Sequence, residues 1–268
     1  MEMEHHDNPD FDHTPWGRDE HFERGSMADM LEKWEEGVKE AHFIMERINF
    51  PPGNKVLDLG CGVGRHAISF ARAGGRVTGL DISSLLIARA QEIGRSKNLS
   101  VDFVCSDFRN ILYENQFDVA LLLGDTFGIF NDDDNERFLS MVCNTLNKDG
   151  VVVIECINRE YIVERMAFQK GIGRIWKEND GVLSSKVSCF DLVRSRYNVW
   201  SESMLLKTGE KVVEPVYSLR LYTLCEMLHL LRKSGIFPHC VTGGYDGSDY
   251  MASSERMLVI AGRQKPVL

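Results

Sequence analysis

No stretch of this 268-residue chain approaches the roughly 18 uninterrupted apolar residues of a membrane-crossing helix, so no membrane partner is expected. The opening segment "MEMEHHDNPDFDH" is acidic and polar, without the basic and apolar regions of a secretory signal, and the sequence predicts a cytoplasmic protein. There is no CxxC pair. The seven cysteines, at positions 61, 105, 143, 156, 189, 225 and 240, are odd in number and scattered, mostly inside apolar runs, which argues against a disulfide scaffold, a zinc site or any other bound metal. An excess of basic residues is missing too. With 40 acidic against 31 basic side chains the net charge is -9, which works against adhesion to phosphate backbones and disfavours a nucleic-acid partner. Internal repeats and low-complexity tracts are absent. The one charge run, "NDDDNE", reads as a solvated helix start.

What is present is enough length for a substantial core and an alternation of elements. Apolar residues recur at three- and four-residue steps from Met27 to Ile48, an amphipathic helix that stops at "NFPPGNK". Short apolar runs then alternate with helical stretches. The strands are "KVLDLG", "RVTGLD", "VDFVCSD", "FDVALLLGD" and "GVVVIECIN", and the helices between them run from about Arg65 to Arg72, Ser84 to Lys97 and Asp134 to Leu146. Strands this short and apolar predict a parallel sheet covered on both faces, with ligands bound at the rim formed by the strands' C-terminal ends. From Arg159 to about Tyr222 the texture is β-branched and aromatic, with "KTGE" as a turn, and a small antiparallel appendage is expected. A helix over "TLCEMLHLLRKSG", closed by Gly235, and two strands around "HCVTGGYD" and "RMLVIAGR" complete the chain. The expected organisation is an N-terminal arm (1–26), a Rossmann-like α/β core (27–158 and 223–268) with a seven-stranded sheet, and an inserted antiparallel β cap (159–222).

The stretch "VLDLGCGVGRHA", residues 56 to 67, carries the first chemical signal. Its glycines are spaced Gly60-x-Gly62-x-Gly64, not the G-x-G-x-x-G of a dinucleotide turn, and Asp58 precedes them. An aspartate there suits a cation better than a diphosphate. The second strand ends in Asp81, which can accept both hydroxyl protons of a ribose, and the third ends at Asp107 and Phe108, which suit an adenine amino group and ring. Cys61, Ile82 and Leu123, beside these acids and glycines, join them as expected cofactor contacts. A ligand that is a nucleoside, carries positive charge and lacks phosphate matches the set: S-adenosyl-L-methionine.

The segment "VLDLGCGVGRHAISFARAGGRVTGLDIS" resembles the first two motifs of class I S-adenosylmethionine-dependent methyltransferases, and "CSDFRN" resembles their adenine-side motif. "LLLGDTFGIF", "CINREYI", "RLYTLCEMLHLLRKSG" and "GYDGSDY" are similar, in the same order, to segments of a bacterial and archaeal subfamily with a small β appendage. The resemblance implies that Gly60 and Gly62 admit the methionine part, that Asp81 binds the ribose, and that Asp107 and Phe108 face the adenine. It departs at "GDTFG", where relatives often carry a serine or threonine next to an aromatic, so that Asp125 stands near the methyl group.

Methyl transfer from a sulfonium needs alignment first, and a base only if the acceptor arrives protonated. Asp125, His66 and Tyr245 are the candidate bases, in that order. Trp16, Asp125, Phe127, Trp176, Arg220, Tyr222 and Tyr245 are the candidate acceptor-pocket residues. The reading is a methyltransferase acting on an oxygen or nitrogen of a small-molecule acceptor. The alternatives are a non-catalytic S-adenosylmethionine-binding or assembly module, an RNA methyltransferase and an NAD-dependent oxidoreductase. Monomer and homodimer both fit the sequence.

Overall fold

The computed structural model describes residues 27–168, 172–179 and 182–264. The first amphipathic stretch forms two helices, α1 (Met27–Glu32) and α2 (Trp34–Arg47), where one is expected. They part at Lys33, whose carbonyl accepts a hydrogen bond from the Arg65 guanidinium at 2.8 Å. Four residues on, Gly37 lies so close to α3 (Arg65–Arg72) that a Cβ would sit 2.9 Å from the Arg65 Cβ. The break and the glycine thus serve one contact, the crossing of α2 over α3.

The main sheet contains β1 (Lys55–Leu59), β2 (Arg76–Asp81), β3 (Val101–Cys105), β4 (Phe117–Leu122), β5 (Leu146–Ile157), β10 (Phe237–Thr242) and β11 (Arg256–Gly262). Their order is β10-β11-β5-β4-β1-β2-β3. The five strands from β5 to β3 pair in parallel, and β11 runs antiparallel to both β5 and β10. Helices α3, α4 (Ser84–Ser96), α5 (Asp132–Thr145) and α7 (Leu224–Lys233) connect or follow these strands. The fold is the expected α/β, Rossmann-like seven-stranded sheet. Central strands are buried on both faces, with Leu57, Leu59, Leu121, Leu122, Val153 and Ile154 fully enclosed, which is why they read as unbroken apolar runs. The strand order reverses between β1 and β4, so their carboxyl ends frame a crevice at the topological switch point.

The stretch from residue 159, expected to be β-rich throughout, begins with a helix, α6 (Arg159–Phe168). Asn158 starts it: its side-chain oxygen accepts from the Glu160 amide at 3.0 Å, and Ile162 and Met166, one turn apart, are buried. A four-stranded antiparallel sheet follows in the order β6-β7-β8-β9, made of Ile172–Asn179, Val182–Asp191, Arg196–Leu205 and Lys211–Arg220. The "KTGE" turn joins β8 to β9, with the Gly209 amide donating to the Leu205 carbonyl at 2.8 Å.

This second sheet is tied to the loop after β4. The Arg220 amide donates to the Gly128 carbonyl at 2.7 Å, and the Arg196 guanidinium donates to the carbonyls of Phe130 and Ile129 at 2.9 and 3.3 Å. None of the described helices is long and apolar enough to cross a membrane.

Candidate functional site

The glycine turn after β1 is held by β2. The amides of Gly60 and Cys61 both donate to the Leu80 carbonyl, at 2.8 and 2.9 Å, and the Gly62 amide donates to the Asp81 carboxylate at 2.9 Å. The other Asp81 oxygen accepts from the Ser83 amide at 3.0 Å. Asp81 is therefore a clamp that fixes the turn as well as a wall of the crevice. Gly60 has a φ of +70°, and a Cβ on it would lie 2.6 Å from the Thr126 hydroxyl oxygen. That hydroxyl is itself anchored, donating to the Leu123 carbonyl at 2.7 Å, so the turn and the post-β4 loop meet where only glycine fits.

Asp58 does not face the crevice. Its carboxylate is buried beneath the turn and accepts from the Ala67 amide at 3.1 Å, satisfying an otherwise orphaned donor in the first turn of α3. Burial pushes its carboxyl up to about 6, against the opposing pull of His66 and the Ala67 bond. Asp58 thus caps the first turn of α3 and is not among the cavity's lining residues. Cys61 points away as well, its sulfur lying where a Cβ on Gly79 of β2 would meet it at 3.0 Å. Gly64 closes the turn in the left-handed conformation ahead of α3, packed toward the Phe103 ring.

At the rim lies a cavity. Gly60, Asp81, Ile82, Asp107, Phe108 and Asp125 line it, and so do Met30, Leu86, Gly124, Thr126 and Ile129. Asp107 caps the short turn Phe108–Asn110 and is held by Arg109, whose Nε lies 2.9 Å from one carboxylate oxygen. Burial would raise the Asp107 carboxyl, but the Arg109 hydrogen bonds hold it below the usual range. Phe108 stacks on Phe138 with ring centroids 4.7 Å apart and presents its remaining surface to the cavity, so it is core and wall at once. Leu123 is buried and Phe127 is buried against the Tyr222 ring; neither is among the lining residues.

Asp125 adopts a left-handed φ of +64° that turns it into a charged cluster. Its carboxylate pairs with the Arg256 guanidinium, and the Arg256 Nε reaches the Glu155 carboxylate at 3.2 Å. The other Glu155 oxygen accepts from the Gly124 amide at 2.7 Å. Burial raises the Glu155 carboxyl, opposed by Arg256, and the two carboxylates keep Arg256 firmly charged. The Tyr245 hydroxyl lies in the same neighbourhood, buried, with no hydrogen-bond partner among the described residues.

Other candidates fall elsewhere. His66 places its Nε2 2.7 Å from Glu40 of α2 and is not among the cavity residues, because the first turn of α3 aims it at α2. Arg220 and Tyr222 line a separate surface cleft. There Arg220 pairs with Asp132 at 2.9 Å and Glu226 at 2.8 Å, while the Tyr222 hydroxyl bonds Asn135 and Asp132. Both are corrected from acceptor pocket to the junction of α5 and α7. Trp16 lies outside the described residues, and Trp176 lies on β6 with its side chain likewise outside them.

Glu155 and Arg256, which hold Asp125 and the Gly124 amide beside the cavity, are residues the sequence reading missed. Their signal was a charge inside or opening an otherwise apolar strand, "VVVIECI" and "RMLVIAG", which a buried strand tolerates only if the charge is paired. Taken together, three carboxylates at consecutive strand ends, Asp81, Asp107 and Asp125, face a cavity with apolar walls at Met30, Ile82, Leu86 and Ile129. Gly124 leaves open space where a Cβ would stand. A nucleoside that donates hydroxyl and amino hydrogens fits this set of acceptors; a diphosphate brought against the Asp81 carboxylate beside the glycine turn does not.

Comparison with known proteins agrees. A family model described as a methyltransferase domain matches residues 56–150. The cypemycin N-terminal methyltransferase of a Streptomyces species is 26% identical over 216 residues, covering 79% of this chain and 84% of that protein. A glycine/sarcosine N-methyltransferase of Aphanothece halophytica is 25% identical over 155 residues, covering 54% of this chain and 58% of its own length. Among solved structures, an S-adenosylmethionine-dependent methyltransferase from Clostridium acetobutylicum superposes with a TM-score of 0.75 at 17% identity, over 89% of this chain and 98% of that one. Residues 56–150 thus carry a methyltransferase domain, and with the fold and the rim carboxylates in place the chain is similar to the class I S-adenosylmethionine-dependent methyltransferases.

Proposed function

We propose that this methyltransferase acts on an oxygen or nitrogen of a small-molecule acceptor, and that the sheet β6–β9 serves as the cap of the acceptor pocket. The observation that carries the reading is the approach of that sheet to the crevice. Arg196 holds the loop containing Ile129, a cavity residue, and Tyr217 of β9 lies in the field of Asp125 and Arg256. The chain's acidic balance works against binding a polyanion.

On this reading Asp81 holds the ribose hydroxyls, Asp107 and Phe108 flank the adenine, and the Gly60–Gly62 backbone admits the methionine end. Bound S-adenosylmethionine supplies an electrophilic methyl carbon on a sulfonium. The chain's own work is to exclude water with Met30, Leu86 and Ile129 and to orient the acceptor at Asp125. The glycine/sarcosine N-methyltransferase named above carries a name that specifies nitrogen methylation of a small molecule, which supports such an acceptor.

The test is methyl transfer from methyl-labelled S-adenosylmethionine into a small-molecule extract, total RNA and total protein in parallel. Label in the small-molecule fraction is expected. Label confined to RNA or protein overturns the proposal.

A further inference from the structure

The loop after β4 carries a charge system that reaches across three strands. Asp125 lines the cavity, and one of its carboxylate oxygens pairs with the Arg256 guanidinium, while the other bonds nothing among the described residues. Arg256, at the start of β11, also reaches Glu155 of β5 through its Nε at 3.2 Å, and Glu155 accepts from the Gly124 amide at 2.7 Å. In the β5–β11 pairing Arg256 stands opposite Ile157 and Glu155 opposite Leu258, so the two are diagonal neighbours on one face of the sheet. Two strands thus hold one short segment, in which Gly124 and Asp125 both have a φ of +64°. A residue other than glycine keeps that conformation only where its surroundings hold it.

The strand order places this segment along the cofactor. Strands β4, β1, β2 and β3 lie side by side, about 4.8 Å apart, and bring the Asp125 loop, the Gly60 turn, Asp81 and Asp107 into one row on the cavity wall. With adenine at Asp107 and ribose at Asp81, the next group of the cofactor, its sulfur, falls between the Gly60 turn and the loop after β4. Those two segments touch: a Cβ on Gly60 would lie 2.6 Å from the hydroxyl oxygen of Thr126, the residue after Asp125. Sulfur is the atom whose charge the reaction changes. As the methyl carbon leaves, the C–S electron pair stays on sulfur, and a sulfonium becomes a neutral thioether.

We infer that the Asp125–Arg256 pair senses the charge on this sulfur, Asp125 favouring the sulfonium form and Arg256 limiting that preference. The inference rests on the cofactor placement proposed above and gives the two residues a role toward the cofactor itself. An unpaired carboxylate beside the sulfonium would hold S-adenosylmethionine far more tightly than S-adenosylhomocysteine, and would oppose the loss of charge on the way to transfer. The guanidinium offsets that field. Water screens it only in part, because the Asp125 side chain is 21% exposed and that of Glu155 7%. Glu155 stands behind the pair, fixing Arg256 and the Gly124 amide, and Arg256 acts through Asp125 as a positioning residue.

The experiment measures, by calorimetry on the full chain, the affinities for S-adenosylmethionine, for S-adenosylhomocysteine and for sinefungin, in which an amine-bearing carbon replaces the methylated sulfur. The readout is the ratio of charged-ligand to neutral-ligand affinity; the α-ammonium is common to all three and cancels. Asp125→Asn keeps the side chain's shape and tolerates the left-handed conformation, and it should lower the ratio by roughly tenfold. Arg256→Gln should raise the ratio by a similar factor, and the double variant should bring it back near the parent value. Arg256→Lys keeps the charge and should leave the ratio within about twofold of the parent. Damage to the fold or to the cavity's shape weakens charged and neutral ligands alike, so the ratio isolates the charge. An unchanged ratio in Asp125→Asn overturns the inference whether or not Arg256→Gln folds, and so does a ratio that moves in the same direction in both single variants. Failure of every adenosyl ligand to bind the parent chain overturns the cofactor reading as well, which separates the two.

Discussion

Replacing Gly60 by alanine separates backbone strain from steric conflict at the turn on which the site depends. At a φ of +70° any L side chain is strained, and the left-handed region costs alanine about 1–2 kcal/mol. The added methyl must also lie 2.6 Å from the Thr126 hydroxyl oxygen and 3.0 Å from its methyl. Thr126 cannot yield freely, because its hydroxyl bonds the Leu123 carbonyl at 2.7 Å, and forced overpacking of this kind costs a further ~1–3 kcal/mol. Gly53 supplies the control: its φ is +93°, yet a Cβ there meets nothing within 4 Å. Urea unfolding should therefore show Gly53→Ala destabilised by about 1–2 kcal/mol and Gly60→Ala by about 2–5 kcal/mol. Adding Thr126→Ala to Gly60→Ala should return most of the difference, read as a coupling energy in a double-mutant cycle. Equal losses in the two glycine variants, or no coupling with Thr126, would refute the claim that the turn and the post-β4 loop are in contact.

Three further outcomes follow from the buried polar groups. Asp58 titrates at about 6 in the folded chain against 3.8 ordinarily, so between those pH values the folded state holds more protons than the unfolded and stability falls as pH rises through the window. Asp58→Asn removes this dependence. Its stability relative to the parent, from urea midpoints, should rise between pH 4 and pH 7 by up to roughly 3 kcal/mol, and parallel curves would contradict it. Arg256→Met strands Asp125 and the buried Glu155, and should cost about 3–5 kcal/mol, partly recovered by adding Glu155→Gln. Thr223→Ala dismantles the capping box of α7, in which Thr223 and Glu226 satisfy each other's amides, and should lower stability by about 1 kcal/mol in thermal unfolding.

The main sheet was legible because its central strands are buried on both faces and bounded by glycines and helix caps; each of its seven strands contains residues of an apolar run read from the sequence. The helix α6 was not, since only Ile162 and Met166 are buried and the stretch after it is strongly β-rich. Within the site, spacing identified which acids end strands but not which way they face. Asp81 and Asp107 reach the cavity, whereas Asp58, inside β1, points beneath the turn to cap α3. Long-range pairs were invisible for the same reason. Nothing local to Arg220 announces Asp132, and nothing local to Asp125 announces Arg256, 131 residues away.

The most direct test of the cofactor pocket is calorimetric titration of the full chain and its Asp81→Ala variant with S-adenosylmethionine, S-adenosylhomocysteine and NAD. Asp81 both clamps the Gly62 amide and lines the cavity, so the account predicts that the two adenosyl ligands bind, that NAD does not, and that the variant loses adenosyl affinity while remaining folded. Binding of NAD in their place, or full adenosyl affinity in the variant, would contradict it.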